Sequence, residues 1–393
     1  MIYFVYNLII LTVCVFSVTT SQNHLVQTLV NYIPKEVVFS MIGSLTIFYS
    51  FINKKTNSLI YNNKFMFAFL VFLAIQFLWY FYKPMLMINN EGMYGFNIRI
   101  IRPTICLLTG IFLIKVFSET FITKEWVNIF KVVCWMSFLL AVYSILQWCG
   151  IDWNTNIMTK NFVNGNPQRN QMMFTFLSHH TLTAAYLALS APLCLMFTQH
   201  RYKIFLAVIF ISLVFSGSIM ALTAFMVSVS LFFILSGNIR FFLLMVLFSL
   251  CVVFLLNKVY PEFLLNSGRF EIWRLVITDV FKEKPFIGYG LGEFAYKYNN
   301  PNVILFAHNE YIETLFFGGI PALVILTGYI LNLFYKITAR IKESFVMDMV
   351  IACCFVSLCI LSFGTFIFHY PPLAVLGILY MAYIEYKYLN YRR

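Results

Sequence analysis

Of the 393 residues, 61% are hydrophobic and 11% charged, and the mean hydropathy is +0.83. Soluble domains carry roughly 25% charged residues, so this chain lacks the polar surface to coat a water-soluble globule and needs hydrocarbon as its solvent. The formal charge of +12 comes from 27 basic and 15 acidic residues scattered between apolar runs. With no contiguous basic stripe it excludes nucleic acid as a partner, and it fits the basic cytoplasmic loops of a membrane protein.

A membrane span takes about 20 apolar residues. In chain order the expected spans are Tyr3–Thr19, Glu36–Ile52, Phe65–Tyr82, Ile100–Phe117, Val127–Trp148 and Thr181–Thr198. They continue with Ile204–Phe215, Met220–Leu235, Phe241–Leu256, Tyr311–Phe334, Met347–Phe368 and Leu373–Tyr386. Ser216-Gly217-Ser218 marks the turn or kink between the seventh and eighth. The expected fold is all-α: a single polytopic domain over residues 1–393 with about twelve transmembrane helices. The first span has neither a basic segment before it nor a small-residue cleavage site after it, so it reads as a retained helix rather than a signal peptide.

Placing the N-terminus in the cytoplasm puts basic residues in nearly every short inside segment: Lys54, Lys55 and Lys64; Lys115 and Lys124; Arg201 and Lys203; Arg240; Lys336, Arg340 and Lys342; Lys387, Arg392 and Arg393. Both termini are then cytoplasmic. The nine cysteines sit mostly inside apolar runs, without the spacing of a zinc site or a disulfide framework, and read as small packing residues.

Two long segments face the outside, Cys149–His180 and the large external loop over residues 258–308. In the second, Phe270–Phe281 has amphipathic helical spacing, with Ile272, Leu275, Val276 and Val280 on one side, as in a helix lying along a membrane surface. Arg269 and Arg274 flank its start. Guanidinium groups there suit a diphosphate, because the planar fork donates paired hydrogen bonds and stays charged. On charge alone, headgroup anchoring beside Trp273 is the favoured account of both arginines. Pro285–Phe294 is rich in glycine (Gly288, Gly290, Gly292) but lies in no βαβ unit, so it reads as a tight turn folded back on the helices rather than a dinucleotide site.

His308-Asn309-Glu310-Tyr311 opens the tenth span and puts an imidazole at the outer membrane edge, where it can take a proton from an acceptor hydroxyl or simply be hydrated at a helix start. His179 and His180 are adjacent, a poor geometry for a shared metal. Arg99 and Arg102, at the outer end of the fourth span, can reach the same external cavity as Arg269 or snorkel to headgroups.

Arg269…Trp273, then Pro285-x-x-Gly288-x-Gly290-x-Gly292-x-Phe294, then His308-Asn309-x-Tyr311, then Gly318-Gly319-Ile320, occur in an order that resembles the O-antigen ligase and Wzy-type O-antigen polymerase superfamily. The resemblance is best over about residues 204–335, and the segment Leu177–Leu193, ending Ala191-Pro192-Leu193, is similar to the family's sixth-helix region. It implies a GT-C-like membrane fold with a long periplasmic loop between helices 9 and 10, in the bacterial inner membrane. It further implies transfer of a glycan from an undecaprenyl-diphosphate carrier to a lipid or glycan acceptor hydroxyl at the periplasmic face, without cofactor or metal.

By the same resemblance His308 and Arg269 are the catalytic residues; Asn309 and Tyr311, within the histidine motif, and Arg274, Arg99 and Arg102, offered as sources of the charge of a missing family arginine, are the candidate substrate-binding residues. The family's Ser-Arg-Gly motif is replaced here by Ser216-Gly217-Ser218, without its arginine. Polymerisation of a surface polysaccharide uses the same chemistry as ligation. A transporter and a non-catalytic scaffold of a glycan-assembly complex are the rival readings. A transporter favours internal repeats and mid-membrane charges, whereas the charges here cluster at the outer edge.

Overall fold

The computed structural model describes residues 121–149, 180–247, 269–290, 294–298, 307–341, 345–365, 367–368 and 371–391, with positions 114, 117 and 118. The first four expected spans, apart from those isolated positions, lie outside these residues, as do Arg99, Arg102, His179 and most of the segment 149–180. All regular elements among the described residues are helical. They are α1 (Thr123–Trp148), α2 (His180–Ser190) continuing into a 3-10 turn (Ala191–Met196), α3 (His200–Phe215), α4 (Ile219–Leu235), α5 (Arg269–Glu283), α6 (Phe294–Lys297), α7 (Glu310–Ile341), α8 (Val346–Leu361) and α9 (Pro371–Tyr391).

Two of them, Thr123–Trp148 and Glu310–Ala339, are long and apolar enough to cross a membrane, with mean hydropathies of 2.1 and 1.9. The helices also turn large apolar side chains outward, among them Leu139, Ile204, Ile234, Val324 and Leu331. That surface belongs in lipid.

Contacts between helix ends mark two ends of the bundle. At one, Thr123 of α1 meets the hydroxyl of Tyr386 of α9 at 3.0 Å. At the other, the ends of α1 and α3 meet where Trp148 stacks on Phe215, 4.1 Å between ring centroids. Between them α1 packs on α3, α4 on α8, and α2 runs through the middle against α1, α4, α8 and α9. Trp126 and Phe130 of α1 interlock with Tyr380 and Tyr383 of α9. Cys134, Cys194, Cys353 and Cys354 are buried in this core as free thiols.

Hydroxyls buried in an apolar bundle must find acceptors. Ser137, Ser144, Ser190 and Ser228 turn back onto carbonyls of their own helices. Pro192 explains two longer bonds. It has no N–H to give to the carbonyl four residues earlier, which ends α2 as an α-helix and leaves the Ala188 and Leu189 carbonyls to other donors. Ser357 of α8 donates to Ala188 at 3.2 Å and Tyr380 of α9 to Leu189 at 2.9 Å. The expected span Thr181–Thr198 is therefore an α-helix with a tighter 3-10 end, sewn to two neighbours at its break.

The end that holds Thr123 carries buried charge. Lys336 of α7 and Glu385 of α9 pair at 2.6 Å, both almost wholly buried. Beside them Tyr383 donates to Asp348 at 2.6 Å, and Lys387 lies 3.6 Å from the same carboxylate oxygen. Lys336, expected in a short basic segment at this end, is a buried helix residue with a partner.

Candidate active site

At the opposite end α5, α6 and the start of α7 share a core of their own. Val276 and Val280 of α5, Tyr289, Phe294, Ala307, Leu315 and Phe316 bury one another, with Ile272 and Trp273 packed alongside. The amphipathic reading of α5 holds for Ile272, Val276 and Val280. Leu275 is exposed, and Phe270, Ile277 and Phe281 form a second, outward apolar stripe.

This small core rests on a break in α7. Gly319 has φ +68 and interrupts the helix, and Pro321 follows it. In an unbroken helix Ile320 would donate to Phe316, and residue 321 to Phe317; proline has no N–H to give. The glycine-rich turn completes every one of these bonds. Tyr289 donates to the Phe316 carbonyl at 2.8 Å, Gly290 to that of Phe317 at 3.0 Å, and Ile320 donates to Pro285 at 2.8 Å. Contact this close demands glycine on both sides. A Cβ on Gly288 would lie 2.6 Å from the backbone of residues 316, 318 and 319, and one on Gly319 would lie 2.5 Å from the Pro285 carbonyl.

A polar cluster joins α5 to α6. Lys297 donates to Glu283 at 2.8 Å and to the Tyr289 hydroxyl, and it lies 3.6 Å from Asp279. Tyr298 donates to Asp279 at 2.9 Å. The hydrogen bond from Lys297, then that from Tyr289, holds the Glu283 carboxyl below its ordinary pKa. Burial pulls the Lys297 ammonium down, but its bonds to Glu283 and Tyr289 outweigh this and raise it.

The two principal candidates, Arg269 and His308, are set by neighbouring bonds. Arg269, half-buried at the start of α5, donates from Nη1 to the Gly364 carbonyl at 3.1 Å. Burial lowers its pKa, though a guanidinium remains charged. Among the described residues no carboxylate pairs with it. One helical turn on, Trp273 donates its indole N–H to the Ala307 carbonyl at 2.7 Å. His308 follows with φ +51, the one non-glycine residue with positive φ among the described residues, a conformation that costs energy and collects at functional sites. Asn309 then caps α7, its Oδ1 accepting the N–H groups of Tyr311 and Ile312 at 3.0 and 3.1 Å. The Tyr311 hydroxyl donates to Cys359 at 3.2 Å.

Arg274 is exposed on a different side of α5 from Arg269. Asn309 and Tyr311 use the polar atoms above to fix the site's frame.

Sequence reasoning gave no role to the turn after α8, residues 362–365 and 367–368, or to Glu310. The expected span Met347–Phe368 ends as helix α8 at Leu361. Its remainder folds into the turn that supplies the Gly364 carbonyl to Arg269. Glu310 holds this turn, accepting the Phe368 N–H at 2.7 Å. Met220, just after Ser216-Gly217-Ser218, packs against Gly364. The start of α4 thus adjoins the residue that holds Arg269. The local cues for such a turn, Ser362, Gly364 and Thr365 among phenylalanines, are weak.

No curated protein matches the chain. Residues 204–327 match the family model described as O-antigen ligase. That span runs from α3 through α5 and the glycine-rich turn into α7, and contains Arg269 and His308. Over these residues the chain is similar to the O-antigen ligase family.

Proposed function

We propose that this chain is a membrane glycosyltransferase. It moves a glycan from an undecaprenyl-diphosphate carrier to an acceptor hydroxyl at the periplasmic face, with ligation to a lipid acceptor as the first reading. The observation that carries it is Arg269: a half-buried cation with no carboxylate partner among the described residues, fixed at the same end of the bundle as His308.

Displacement at the anomeric carbon forms a bond to the acceptor oxygen and breaks the bond to the diphosphate oxygen. Negative charge grows on the departing diphosphate, and a proton must leave the acceptor hydroxyl. A guanidinium held in a partly dry setting stabilises such charge by several kcal/mol. His308, partly exposed at the mouth of α7, accepts or relays the proton. The residues require no metal for these steps. Arg274, Arg99 and Arg102 are further candidates for the diphosphate, in place of the arginine missing at Ser216–Ser218. Activity retained in all three Arg→Ala variants would exclude them.

Polymerisation differs only in the acceptor. A gel profile of surface and lipid-linked glycans from a strain lacking the gene separates the two. Long polymer stranded on the carrier marks a ligase, and a glycan arrested at one repeat marks a polymerase. An unchanged profile shifts weight to a scaffold.

A further inference from the structure

We propose that Glu310 is a positioning residue for Arg269, acting through the turn after α8, residues 362–365 and 367–368. The proposal rests on the reading of Arg269 as the charge that meets the leaving diphosphate. Glu310 grips both ends of that turn: its backbone N–H donates to the Ser362 carbonyl at 2.9 Å, and its Oε1 accepts the Phe368 N–H at 2.7 Å. The Gly364 carbonyl, the acceptor for Arg269 at 3.1 Å, lies between them.

The turn has little room to yield elsewhere. Behind Gly364, even an added Cβ would come within 2.6 Å of Met220 Cγ. At its base Tyr311 lies against Phe363, 4.5 Å between ring centroids. An arginine side chain is long and flexible, and its direction depends on a fixed acceptor. Glu310 supplies that fixity while standing two residues from His308, so one residue links the turn that holds Arg269 to the segment that carries His308. It touches the turn and not the reacting atoms.

The test uses the full-length protein in nanodiscs, with Glu310→Gln, Glu310→Asp and Glu310→Ala. Phenylglyoxal modification of Arg269 is followed by mass spectrometry of its peptide, and glycan transfer is measured alongside. Glutamine keeps a side-chain acceptor for the Phe368 N–H, aspartate is one methylene too short, and alanine has none. Labelling of Arg269 should rise about threefold or more in the Asp and Ala variants and stay at the wild-type level in the Gln variant. Transfer should fall about 10- to 100-fold in the same two, mainly in kcat, and be largely retained with Gln.

Wild-type labelling of Arg269 in the Asp and Ala variants overturns the proposal, as does a Gln variant that labels like Ala. If the Ala variant fails to insert, the contrast between Asp and Gln decides alone. The predicted labelling pattern in a protein that transfers no glycan would leave the clamp standing and remove the transferase reading instead.

Discussion

Trp273 of α5 donates its indole N–H to the carbonyl of Ala307, 34 positions later in the chain, at 2.7 Å. Because Arg269 lies one turn earlier on the same helix and binds Gly364, a single face of α5 fixes both the segment leading into His308 and the turn after α8. Helix α5 is thus the part that brings the two candidate groups into one frame.

Replacing Trp273 with Phe keeps most of the packing and removes the donor. A carbonyl left without its partner costs about 1–3 kcal/mol. The expected outcome is a lower thermal midpoint in detergent and a loss of transfer larger than that of a variant matched to it in stability. Equal losses in the two would assign Trp273 to packing alone.

The break in α7 gives a graded test. Gly217 and Gly319 both have positive φ, but only Gly319 has backbone where a Cβ would go. Gly217→Ala should cost about 1–2 kcal/mol from conformation. Gly319→Ala should cost about 3 kcal/mol or more, because the Pro285–Gly290 turn must also let go. Thermal unfolding of the two variants side by side gives the comparison, and equal costs would contradict the close-contact account.

The buried pair Lys336–Glu385 should behave as a unit. Lys336→Met strands a buried carboxylate and should cost about 3–5 kcal/mol, while adding Glu385→Leu should recover most of it. A double-mutant cycle on the thermal midpoint reads the coupling; additive losses would mean that the two charges act separately.

The Glu283–Lys297 contact predicts a pH window. Glu283 is depressed in the folded protein, so its contribution is complete above the unfolded value of about 4.3 and is lost as pH falls through the folded value. Lys297 is raised, so its contribution is complete below about 10.4 and is lost as pH rises through the folded value. The difference in thermal midpoint between wild type and Glu283→Gln should be flat between these limits and shrink on the acid side. A difference undiminished at low pH would remove the ion pair from the stability of the loop.

Much of the helical pattern was legible because apolar runs and a 3.6-residue period are local properties. The expected Phe270–Phe281 helix is α5, and Met220–Leu235 is α4 within a residue. What escaped depends on partners distant in sequence. Residues 362–364 turn on local bonds, Phe363 donating to Ile360 and Gly364 to Leu361, but their partners Arg269 and Glu310 lie about 50 to 95 positions away in sequence. Lys336 reads as one more basic residue of a short inside segment until Glu385 is placed beside it. The break at Gly319 is concealed in an apolar stretch, although Pro321 hints at it. Arg269 and His308 were singled out by the ordered motifs, whereas the bonds that hold them come from carbonyls, which a sequence does not distinguish.

The most direct test of the account is glycan transfer by the purified protein in nanodiscs, from an undecaprenyl-diphosphate-linked donor to an acceptor glycolipid. Wild type is compared with Arg269→Ala and His308→Ala. The account predicts product from wild type, and a loss of about 100-fold or more in each variant with insertion and thermal midpoint preserved. Transfer at the wild-type rate by both variants would contradict it.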